Sequence, residues 1–196
     1  GQTGMDALTH AVEAFIGRST TPYTRKMARQ AVQLIHDNLL EAYEHGDNMR
    51  ARRNMLSAAY KAGVAFTRSY VGYVHAIAHS LGGKYNIAHG LANATLLDVV
   101  LRQYGESVYQ KLYEMALYCG ICNADDSYKV GAERLIEQIT LMKKHFGISS
   151  TFSDLKKSDI HELALYADHE ANPLYPVPVL WDVKELEKVY DLVVED

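Results

Sequence analysis

At 196 residues the chain is long enough to bury one substantial core, or two small ones. Its 20 Lys and Arg against 24 Asp and Glu leave a formal charge of -4, which argues against the basic face that nucleic-acid binding usually requires. No run of about 18 apolar residues occurs and the first residues carry no charged-then-apolar leader, so neither a membrane span nor an export signal is expected, and a cytoplasmic location is.

In chain order the pattern is helical almost throughout. Thr3 is placed to cap a first helix over Met5 to Ile16, which sets Asp6 and His10 at i and i+4 on one face. A carboxylate in so apolar a first turn is costly unless it is paired, ligated or hydrogen-bonded, although Asp also simply favours the positive end of a helix. Pro22 suits the first turn of a second helix, in which Met27, Ala31, Leu34, Ile35 and Leu39 keep helical spacing to about Tyr43. His36 and His45 there read as solvated or cap residues. After the turn signal Gly46-Asp47-Asn48, a third helix from Met49 to Phe66 carries a small-residue face of Met55, Ala58, Ala59, Ala62 and Ala65 that permits close packing.

Tyr73 to Leu91, YVHAIAHSLGGKYNIAHGL, places three of the nine histidines within fifteen residues. His75 and His79 are one helical turn apart, and His89 follows a Gly-Gly break. A helix and a returning loop can converge imidazoles on one ion, yet histidines beside a loop are also ordinary core or surface residues. Further helices are expected from His89 to Arg102, Ser107 to Tyr118 and Val130 to Phe146, where His145 sits near the C-terminal end that favours a cation. Ser158 is placed to cap a short helix to Ala167, a loop from Asp168 to Leu180 holds three of the four prolines, and Asp182 caps a final helix ending near Val194. Strand-like alternation is scarce, so the expected fold is all-α, one helical domain over 1–196 built of about eight to nine helices. Cys119 and Cys122 form one CxxC pair without a second, the pattern of two ordinary buried or free thiols in a reducing compartment.

Asp6, His10, His75 and His89 together make one carboxylate and three imidazoles, a donor set suited to Fe(II) or Zn(II). The opening TGMDALTHAVEAF resembles the first signature of the iron-containing (group III) alcohol dehydrogenases, T-G-x-D-A-x-T-H-A-x-E, and GYVHAIAHSLGGKYNIAHGLANA resembles their second, H-x-x-x-H-x-L-G followed by P-H-G or A-H-G. The resemblance implies the C-terminal helical half of that family's fold, with Asp6, His10, His75 and His89 as metal ligands. It further implies that His79 lies beside nicotinamide and substrate with a part in proton transfer, that Phe66 lines the substrate pocket, and that Asn172-Pro173 belongs to a loop near the family's C-terminal end. Ser80 and Ala88 stand where many relatives have Pro, and neither removes a ligating atom. The retained Asp-and-three-His set favours the iron branch over the glycerol dehydrogenase and dehydroquinate synthase branches. Glu13, three residues after His10, is either an ordinary exposed helix residue or a partner that orients a ligand.

The family's NAD(P) is held largely by an N-terminal α/β domain with a glycine-rich turn, and no GxGxxG or strand-before-helix occurs here. The expectation is therefore an isolated metal-binding half of an enzyme interconverting alcohols with aldehydes or ketones, inactive by itself, with the nucleotide-binding domain as its partner and exposed apolar surface that favours homo-oligomers. Two other readings stay open: a helical metal-dependent hydrolase, against which Asp168-His169 reverses the His-Asp order and lies in the proline-rich loop, and a non-catalytic helical assembly domain.

Overall fold

The computed structural model describes residues 1–195, and among them nine α-helices and no named strand. The helices are α1 (Gln2–Ile16), α2 (Pro22–Glu44), α3 (Met49–Ser69), α4 (Tyr73–Tyr85), α5 (His89–Tyr104), α6 (Tyr109–Tyr118), α7 (Tyr128–His145), α8 (Ile160–Ala171) and α9 (Val183–Val193). Short 3-10 turns over Gly105–Val108 and Lys157–Asp159 precede α6 and α8. The all-α expectation holds.

The sequence explains most starts. Thr21 and Thr24 form a reciprocal capping box ahead of α2, with Pro22 in its first turn, and Asp182 with Glu185 does the same for α9. Asn48 and Ser127 each accept from a backbone N–H three residues on, at the heads of α3 and α7. The apolar residues of α1 lie on nearly every face, so it is the helix the others enclose. Met5, Leu8, Val12, Phe15 and Ile16 are buried, and α1 packs against α2, α3 and α5. Ala58, Ala62 and Ala65 form the buried face of α3 that the small-residue pattern foretold. Away from α1, α4 pairs with α5 and α8, α6 with α7, and α8 with α9. Lys143 ties α7 to α5 through a buried Nζ that donates to Thr95 O and Asp98 Oδ1, each at 2.8 Å.

Several boundaries differ from the sequence reading. Thr3 is not the cap of α1; the helix begins at Gln2 with Met5 N bonded to Gly1 O, because Gly4 packs so closely on Leu39 that helical backbone already has apolar contact there. α3 runs past Phe66 to Ser69, since Ala65 and Ser69 are both buried against the bundle. Gly82-Gly83 does not break α4; the turn comes at Asn86, in the left-handed conformation that ends helices, whose N–H reaches Gly82 O. Ser158 lies in the 3-10 turn and does not cap α8. That helix continues to Ala171, so Asp168 and His169 are helical and the proline loop starts at Asn172. Both cysteines are free thiols, and burial pushes that of Cys119 up to about 12, which keeps it protonated.

Candidate metal centre

Three helices deliver the predicted ligands. Asp6 and His10 come from successive turns of α1, His75 from the first turn of α4, and His89 is the first residue of α5. One ligating atom from each can be chosen so that all four lie within 4.8 Å of one another. With metal bonds of about 2.2 Å, two opposed ligands stand about 4.4 Å apart, so the set is within a few tenths of an ångström of a coordination sphere. The donor chemistry fits a borderline divalent cation, with one hard anionic oxygen and three imidazole nitrogens.

The imidazoles are held by their neighbours. His10 lies between Phe66 and His75, stacked at centroid distances of 4.3 and 4.6 Å. His75 is 2% exposed, and its Nδ1–H donates to Glu13 Oε1, because a carboxylate can only accept. That bond fixes the tautomer and turns the Nε2 lone pair toward the cluster. Glu13 also accepts from the backbone N–H groups of Val74 (3.1 Å) and His75 (3.2 Å), which caps α4 from another helix, since Gly72 at its head has no side chain to do so. Gly72 is required here: a Cβ would stand 2.6 Å from Glu13 Oε2. The exposed-residue reading of Glu13 is thereby excluded.

Electrostatics favour metal-ready imidazoles. Burial, reinforced by the neighbouring His75, lowers His10 to about 4, and burial likewise lowers His89. Both are therefore neutral at physiological pH, the form that binds a metal. Asp6 is the one carboxylate of the cluster among the described residues, with Oδ1 at 3.4 Å from His89 Nε2 and Oδ2 at 3.9 Å from His10 Nδ1.

His79 stands one turn beyond His75, its ring stacked at 5.5 Å on that of His89. Its Nδ1–H donates to Glu170 Oε2 at 2.9 Å, and Tyr175 Oη–H donates to the same oxygen at 2.9 Å. This hydrogen bond to Glu170 raises the His79 pKa. Asp168 and His169, by contrast, are outside the cluster, and Asp168 accepts from Asn172 Nδ2. Ser80 fills its place by donating to Ile77 O and pairing with Tyr190 Oη, both in the core.

Sequence reasoning missed Glu170, Tyr175 and Asn93. The first two sit about 90 residues from His79, and no local spacing links them. Asn93, at i+4 from His89 on α5, was detectable in principle, since that spacing puts both side chains on one face.

The chain matches the model of the Fe-containing alcohol dehydrogenase family, C-terminal, over residues 2–193. It belongs to that family. Among its iron-family relatives, the 1,3-propanediol dehydrogenase of Citrobacter freundii is 39% identical over 190 residues, which cover 96% of this chain and 49% of that protein. The NAD-dependent methanol dehydrogenase of Bacillus methanolicus is 37% identical over 164 residues, 83% of this chain and 43% of that one. A crystal structure of a 1,3-propanediol oxidoreductase superimposes with a TM-score of 0.91 at 38% identity, covering 97% of this chain and 50% of the other. The chain thus spans about half the length of the iron-family proteins it matches.

Proposed function

We propose that this chain is the metal-binding catalytic half of an NAD(P)-dependent alcohol dehydrogenase, acting on a small alcohol or its aldehyde or ketone. The observation that carries this reading is the convergence of Asp6, His10, His75 and His89 from three helices onto one point, with Glu13 holding His75 from behind. The ion is Fe(II), which the family description supports, with Zn(II) chemically admissible in the same donor set. Bound there, it would supply Lewis acidity to a hydroxyl or carbonyl oxygen.

The chain's own residues do the rest. Oxidising an alcohol to a carbonyl releases a hydride and a proton. The hydride acceptor is a nicotinamide carried by a separate nucleotide-binding half, in line with the NAD dependence in the name of the Bacillus methanolicus relative. His79 takes the proton: with Nδ1–H committed to Glu170, its Nε2 is the free acceptor beside the cluster, and the raised pKa strengthens it as a base. Phe66, packed on His10, forms an apolar wall for the carbon chain of the substrate. No described helix is long and apolar enough to cross a membrane, which accords with a cytoplasmic enzyme.

The test is alcohol-dependent NAD(P) reduction by the chain joined to a nucleotide-binding half, after anaerobic loading with iron. Activity is expected only in the joined, loaded protein, and His79→Ala should lower kcat about 10²-fold or more, the typical contribution of a positioned acid–base group. Turnover by the chain alone, or by a joined protein carrying Asp6→Ala and His75→Ala, would overturn the proposal.

A further inference from the structure

Asn93 lies at the middle of the cluster and belongs to none of the predicted roles. It is fully buried on α5, one turn after His89. Its Nδ2 lies 2.7 Å from Asp6 Oδ1, 3.1 Å from His89 Nε2 and 3.4 Å from His75 Nε2. An amide nitrogen has two hydrogens, so it cannot serve all three acceptors at once. Its Oδ1 is buried with no hydrogen-bond partner. Turning the amide over would set its oxygen 2.7 Å from the Asp6 carboxylate, one acceptor against another. Leaving a buried carbonyl unpaired is unfavourable, so the contacts of the NH2 outweigh that cost where it points.

We propose that Asn93 is a positioning residue of the metal centre, acting through Asp6. Its shortest bond is to Asp6 Oδ1, and an aspartate side chain has two torsions to fix before both oxygens are aimed. The amide fixes them. The same NH2 also lies beside Nε2 of His75 and of His89, so it borders three of the four proposed ligands. With His75 and His89 holding a divalent ion, Asn93 would keep its bond to Asp6. The inference rests on the ligand set proposed above.

The test is Co(II) binding, followed by visible absorption, in four proteins: the parent, Asn93→Leu, Asp6→Ala and the double variant. Leucine keeps the volume and removes the donor. Loss of an orienting partner weakens metal binding by roughly 10–100-fold, and that loss is expected for Asn93→Leu in the parent background. Because the residue acts through Asp6, the same substitution should cost less than about threefold once Asp6 is alanine. A merely structural role would weaken both backgrounds equally, and that result overturns the proposal, as does unchanged or tighter binding by Asn93→Leu. A parent that binds no Co(II) overturns the ligand set itself, and Asn93 with it. Circular dichroism of each metal-free protein confirms folding, and Asn93→Ala replaces the leucine variant if leucine does not fit.

Discussion

At the scale of single residues, the centre depends on imidazoles kept neutral. His10 has the most consequential environment, lying between two rings and drawn down to about 4 from an ordinary value of 6.5. The sign follows directly. Between those two values the unfolded chain holds a proton on His10 that the folded chain does not, so stability rises with pH across that window and is lost as pH falls through it. Urea midpoints of the metal-free chain should therefore drop between pH 7 and pH 4.5, and His10→Asn should flatten that drop. Parallel profiles for parent and variant would contradict the assignment. His79 runs the other way, raised by its hydrogen bond to Glu170, in keeping with the proposed division between metal binding and proton transfer.

At the scale of elements, what was legible follows locality. The start of α2 at Pro22, the Asp182 cap of α9, the small-residue face of α3 and the i,i+4 pair Asp6 and His10 depend only on residues a few positions apart, and each appears where its spacing put it. The start of α4 does not. Gly72 gives no cap signal, because the cap is Glu13, 61 residues upstream of Val74 on α1. One carboxylate thus secures a helix terminus and a ligand tautomer together, which binds the geometry of the site to the stability of the fold. Glu13→Ala should cost at least about 2 kcal/mol, since it strands two backbone N–H groups and an imidazole N–H in the interior at about 1–3 kcal/mol each. Denaturant unfolding of the metal-free chain measures it, and a loss under about 0.5 kcal/mol would show that water replaces the carboxylate. The same nonlocality hid the Glu170 and Tyr175 contacts of His79, which arise because α8 packs on α4. The misplaced break at Gly82-Gly83 has another cause: glycine permits a turn without requiring one, whereas Asn86 has the left-handed backbone that does end the helix.

At the scale of the whole molecule, the two sequence signatures lie about 65 residues apart, and the fold brings them together. α1 runs through the centre of the bundle, and α4 and α5 set His75 and His89 opposite its Asp6 and His10. Three of the four proposed ligands come from the first turn or two of a helix, and the fourth lies one turn further on, so rigid elements carry all of them. His89 and His79 keep 44% and 42% of their side-chain surface exposed while His75 is closed off, which gives the cluster one open side. Asp6, His10, His75 and His89 are proposed to form one metal centre. Its most direct test is the metal content of the chain after anaerobic loading with Fe(II) and removal of unbound ion. About one ion per parent chain and near-complete loss in the Asp6→Ala, His75→Ala variant are expected, whereas a variant that retains as much iron as the parent would show that these four residues do not form the site.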